Sequence, residues 1–135
     1  MLVNLKSRTN YLSLSLFADN VVGALYQYTK DQTIGKPLRD VLNALKVLQE
    51  GDMPQDPALP FRSYEQIHAL EQAWSQEERA QVLWTISRVL NGIAYPTDVY
   101  WLVGMFLRLA NHARWGYEKP STPPPQVIQE MCGLD

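Results

Sequence analysis

The chain has 135 residues, 46% of them apolar and 19% charged, with 12 basic and 14 acidic side chains for a formal charge of −2. That length and apolar share suit one folded domain with a real core. The slightly acidic balance argues against a nucleic-acid binder, which needs concentrated positive charge, and a single cysteine excludes an internal disulfide framework and a cysteine-rich zinc site.

Met1–Asn10 carries Lys6 and Arg8 but no apolar stretch of the kind a secretory leader requires. The longest apolar run, Val99–Leu107, is about half of the roughly 20 residues of a membrane helix. With the lone Cys132 near the C-terminal end, the expectation is a reducing, cytoplasmic setting and no membrane span.

The first element is expected over 11–30. Its opening, Leu12–Phe17, alternates with the two-residue period of a strand, but Leu14, Phe17, Val21, Ala24 and Tyr28 follow at spacings of 3, 4, 3 and 4, with Val22 and Leu25 widening the stripe. Only a helix keeps that pattern over fifteen residues. A turn at 33–35 leads to Pro37, suited to a first helical position. Leu38, Val41, Leu42, Leu45 and Leu48 then make an apolar face over 37–50, and Gly51 is placed for a left-handed cap.

Residues 51–62 hold three prolines in twelve positions, so they read as an irregular crossover, pinned to the core by Met53, Leu59 and Phe61. Ser63 with Gln66, and Ser75 with Glu78, each match the capping box. They mark helices over 64–74 and 76–90, the second with Val82, Leu83, Ile86, Val89 and Leu90 inward and Asn91-Gly92 as its stop. Thr97 is the expected N-cap of a helix over 98–115, with Asp98 near the positive end of its dipole. That helix is apolar nearly all round at its start, so it should be the most buried, and Gly116 should end it.

The remainder, Lys119–Pro125, has the composition of a polyproline-like spacer. After it Val127, Ile128, Met131 and Leu134 form a short amphipathic segment. The fold class is all-α: a single-domain bundle of about five helices over 1–116, with a proline-rich crossover loop and a proline-tethered tail over 117–135.

Candidate chemistry is sparse. Glu65 and His68 share one helical face, but a carboxylate-bridged metal centre needs a second such pair and further glutamates, which the N-terminal helices do not supply. Cys132 has no histidine nearby in sequence, and nucleophile-elbow, phosphate-loop, dinucleotide and zinc-protease motifs are absent. The expectation is a non-enzymatic protein with no cofactor and no metal.

The distinctive feature is aromatic and cationic. Trp101, Met105, Arg108, His112 and Trp115 follow at intervals of 4, 3, 4 and 3 on one side of the last long helix, and Trp84 with Arg88 repeats the pairing one helix earlier. Such a stripe either fills the core while its arginines reach past the rings to water, or it forms a binding surface, since Trp, Met and Arg are enriched in interface cores. The leading functional expectation is an interaction module (an adaptor, assembly factor or small subunit of a larger complex) binding a protein partner or a second copy of itself through Trp84, Arg88, Trp101, Arg108, His112 and Trp115. The alternative is a small-molecule-binding regulatory domain with a Trp/Arg-lined pocket near Arg88, Arg108 and His112. A third reading, nucleic-acid binding, would need Lys6, Arg8, Lys30, Lys36 and Arg39 on one face, and the net charge disfavours it.

Overall fold

The computed structural model describes residues 5–31 and 36–118. Over them the protein is an all-α bundle of five helices: α1 (Leu5–Asp31), α2 (Lys36–Gln49), α3 (Tyr64–Ala73), α4 (Gln76–Leu90) and α5 (Pro96–Glu118). The expected turn at 33–35, and the spacer and amphipathic segment of the tail, lie outside the described residues.

Helix α1 starts earlier than its apolar stripe predicts and runs straight through the alternating Leu12–Phe17 stretch. On a helix, residues two apart point about 200° apart, so alternation there puts leucines on opposite faces. Leu14 is fully buried while Leu16 is 64% exposed. The buried line is Leu14, Ala18, Val21 and Leu25 with Val22 beside it, and Phe17 and Tyr28 flank it half-buried.

α1 and α5 are the longest helices, about 40 and 35 Å at 1.5 Å per residue, and they form the main antiparallel pair. Arg114 reaches Ser15 Oγ at 3.4 Å and Asp19 Oδ2 at 3.3 Å, and Tyr11 lies against Gly116. α3 and α4 follow each other along another side of α5. The indole of Trp74, just after α3, donates to the Met105 carbonyl at 3.0 Å. Arg108 binds Glu78 at the start of α4, and Arg88 at its end faces Asp98. α2 packs on α4 and α1. The shared core includes Phe61, Trp74, Phe106, Leu14, Leu38, Leu70 and Ile86, all essentially without solvent contact.

The helix ends follow local chemistry. Ser63 accepts from the Gln66 N–H at 3.2 Å. Ser75 makes a complete reciprocal box, accepting from the Glu78 N–H at 3.1 Å while Glu78 Oε1 accepts from the Ser75 N–H at 3.0 Å. Gly51 and Gly92 adopt φ of +85° and +71°. In both cases the N–H of the glycine bonds back three residues and the next N–H bonds back five, to Leu48 and Val47 or to Val89 and Arg88, which is the Schellman closure.

Three expectations need correction. α5 begins at Pro96, not after Thr97: proline sits at the first helical position, where a missing N–H costs nothing, and Asp98 Oδ2 accepts from the Tyr95 N–H at 2.8 Å. α5 also passes through Gly116 to Glu118, because Gly116 makes room for Tyr11: a Cβ there would lie 2.7 Å from the Tyr11 ring. In the crossover, Met53 is 44% exposed; the anchors are Phe61 and Leu59 together with buried Pro54 and Pro60. As expected, α5 is the central helix, packed against α1, α3 and α4, with an open arc at Tyr100, Gly104 and Leu107.

Candidate interaction surface

The inward side of α4 carries Val82, Thr85, Ile86 and Val89, so Trp84 projects outward, at 63% exposure. Arg88 lies one turn further on the same face. Its guanidinium sits 5.5 Å above the Tyr95 ring centroid and donates to the Ile93 carbonyl at 3.3 Å, with Nε 3.6 Å from Asp98 Oδ2. That last separation is a charge contact rather than a hydrogen bond. Asp98 therefore serves two ends, capping α5 through the Tyr95 N–H and neutralising Arg88. Trp101 follows Asp98 by three residues on α5 and is half-buried against the core.

The predicted stripe on α5 proves to be the shoulder between that helix's buried and open arcs. Met105 is buried, Trp101 and His112 are half-buried, and Arg108 and Trp115 are exposed. Arg108 donates to Glu78 Oε2 at 2.7 Å and to the Ala73 carbonyl at 3.3 Å, tying α5 to the α3–α4 junction. It stands ten residues beyond Asp98, about 15 Å along the helix axis from the level of Arg88. The six predicted residues thus divide into three places: Trp84, Arg88 and Trp101 at one end of the α4–α5 seam, Arg108 at the other, and His112 with Trp115 toward the C-terminal end of α5.

Sequence reasoning missed two exposed residues beside Arg88, Ile93 at 61% and Tyr95 at 66%, and exposed Tyr100 at 59% on the open arc of α5. Ile93 and Tyr95 stand in the loop after a Gly stop, where apolar residues have no periodicity to betray them. Tyr100 stands in a run so apolar that its outward face carries no polar mark. Trp74 was not distinguished from the other tryptophans either. It alone among the four is fully buried, edge-on to Phe106 with ring centroids 5.2 Å apart.

The Glu65/His68 pair separates in space. Glu65 turns to α1, accepting from Ser7 Oγ at 2.9 Å and Asn10 Nδ2 at 3.2 Å, while exposed His68 stacks on Tyr64 at 6.0 Å. Among the described residues no group of three or more His, Cys, Asp or Glu is placed to hold a metal ion, and no helix is long and apolar enough to cross a membrane.

Two electrostatic shifts accompany these contacts. The Ser75 backbone N–H, and then the Arg108 side chain, hold the Glu78 carboxyl below its usual range. Burial, and then the charge of Glu65, push the Tyr11 phenol up.

Clefts among the described residues include two of note. One, of about 280 Å³, lies between the end of α2, α3 and the start of α4, with Leu45, Leu48, Ile67 and Leu83 inside and Glu71 and Arg79 at its edge. The other, of about 490 Å³, runs along α1 beside the crossover and is walled by Leu12, Leu16, Phe17, Leu59 and Pro60. Neither is lined by any of the six predicted residues.

No family model matches the chain, and no curated protein or solved structure matches it.

Proposed function

We propose that this chain is a non-enzymatic interaction module, an adaptor, assembly factor or small subunit, that engages a protein partner through the Trp84–Arg88–Trp101 end of the α4–α5 seam. One observation carries the reading: a tryptophan at 63% exposure stands one turn from an arginine that is already neutralised by Asp98 and stacked over Tyr95. Burying Trp84 under a partner removes a large apolar surface from water without stranding a charge, which suits the anchor of an interface core. Ile93 and Tyr95, both in contact with Arg88, add exposed apolar surface beside it. In this reading the protein works in the cytoplasm, with a second copy of itself as the alternative partner.

Photo-crosslinking residues placed at Trp84 and Tyr95, with exposed Arg39 on α2 as control, test it in the native host. The reading expects one partner crosslinked from the first two positions and not from the third. Reconstituted binding of that partner should weaken by roughly 30-fold or more for Trp84→Ala, the scale of an interface hot spot. Equal crosslinking from all three positions, or unchanged affinity for Trp84→Ala, defeats it. Light scattering on the isolated protein separates a foreign partner from self-association.

A further inference from the structure

We propose that the groove along α1 is the seat of this chain's own C-terminal segment, Val127–Leu134, docked in the same molecule. The groove is apolar where it meets α1 and the crossover, and one of its walls, Leu16, is 64% exposed. Intramolecular packing does not use that leucine: the core-facing line of α1 runs through Leu14, Ala18, Val21 and Leu25 instead.

Three features select the tail as occupant. The first is where the chain leaves the bundle. Gly116 lies against Tyr11, a neighbour in sequence of Leu12 at the groove, and seventeen residues follow Glu118. The second is reach. The eight residues from Lys119 to Gln126 span up to about 25 Å at the polyproline rise of 3.1 Å per residue, more than the roughly 10 Å width of the helix they must round. Thr9 to Asn20, the α1 wall, is about 17 Å long, and eight helical residues occupy about 12 Å.

The third is complementarity. Val127, Ile128, Met131 and Leu134 recur at helical spacing, which presents one apolar stripe to the groove. After Lys119 the tail has no basic residue, and it carries Glu130 and Asp135. Arg62 is the charged residue among those lining the groove, held at its margin by bonds to the carbonyls of Pro57 at 2.8 Å and Leu59 at 3.3 Å. One arginine at the margin of an apolar floor suits an amphipathic segment whose charges are acidic.

The test uses the single cysteine, which sits beside the apolar stripe of the tail rather than on it. A nitroxide on Cys132 of the full chain should weaken the amide NMR signals of Leu12–Asn20 and Ala58–Arg62 several-fold relative to the reduced label, and leave those of Trp84–Ile93 intact. Leu16→Glu should restore the signals. Ile128→Asp, in the tail, should restore them too and keeps the test valid if the first variant fails to fold. The proposal is overturned by signal loss centred elsewhere, by loss spread evenly over the bundle, or by loss insensitive to Ile128→Asp. It is equally overturned if the effect passes from nitroxide-bearing chains to separate isotope-labelled chains, which would assign the groove to a second copy.

Discussion

The indole Nε1–H of Trp74 donates to the main-chain carbonyl of Met105 at 3.0 Å, inside the core. Trp74 is the C-cap residue of α3, in extended conformation, with its own N–H bonded to the Leu70 carbonyl. One residue thus ends a short helix, fills the core and fastens that end of α3 to the middle of α5.

Trp74→Phe keeps most of the ring and removes the donor. The Met105 carbonyl lies within α5, so it is not orphaned, and the expected loss is about 1–3 kcal/mol for the bond and the missing volume together. Trp74→Ala should lose about 3–5 kcal/mol. Urea unfolding with an unchanged slope reads both values; a wild-type midpoint for Trp74→Phe would show that the bond contributes nothing.

Two glycines of α5 should respond in opposite directions. At Gly104 an added Cβ meets nothing within 4 Å, whereas at Gly116 it meets Tyr11 at 2.7 Å. Gly104→Ala should stabilise by about 0.5–1 kcal/mol through helix propensity and the restricted unfolded chain. Gly116→Ala gains the same propensity and forces the Tyr11 ring aside, an overpacking cost of about 1–3 kcal/mol. Thermal melting should therefore place Gly104→Ala above the wild type and Gly116→Ala below Gly104→Ala. Equal melting temperatures for the two variants would mean that the ring moves freely.

Glu78 gives the fold an acid-sensitive contact. Its folded-state pKa lies below its ordinary 4.5 because the Ser75 N–H, first, and Arg108 favour the carboxylate. Its contribution is thus complete above pH 4.5 and is lost as pH falls through the lower folded value. Urea midpoints measured from pH 7 to pH 3 should show a constant gap between wild type and Glu78→Gln down to about pH 5, closing below that. Arg108→Gln should retain most of the closure, since the cap is the larger cause. A gap that stays constant into acid would contradict the lowered pKa.

Tyr11 acts on the alkaline side. Burial, then Glu65, raise its pKa above 10.0, so the unfolded chain ionises first and stability falls as pH rises from 10.0 through the folded value. Tyr11→Phe should remove this component: the difference between the two proteins' unfolding midpoints should be flat from pH 7 to pH 9 and shift in favour of the phenylalanine variant above pH 10. Parallel alkaline curves would refute it.

Much of the architecture is legible in local sequence because its causes are local. A capping box such as Ser75/Glu78 and a Gly at a helix stop such as Gly51 or Gly92 satisfy backbone groups within five residues, and the 3.6-residue period of Leu38, Val41 and Leu45 depends on one helix alone. The expected start of α5 lies two residues late because Thr97 is a good N-cap by residue type and hides the role of Tyr95. The bond from the Tyr95 N–H to Asp98 places the cap at Tyr95 instead.

The candidate surface was less legible for the opposite reason. Trp74, Trp84, Trp101 and Trp115 are chemically alike, and a stripe at intervals of 3 and 4 shows only that its members share a side.

By itself, then, the sequence determined five helices and the caps at Gly51, Ser63, Ser75 and Gly92, because periodicity and end-capping are properties of single segments. Only the tertiary structure decided that Trp74 is core and Trp84 is surface, that Met105 is buried in a stripe whose Arg108 is exposed, and that Gly116 accommodates Tyr11 instead of ending α5. Each of these depends on which neighbouring helix covers a given arc, and at what distance. A helix apolar nearly all round carries no local mark of which arc its partners leave open.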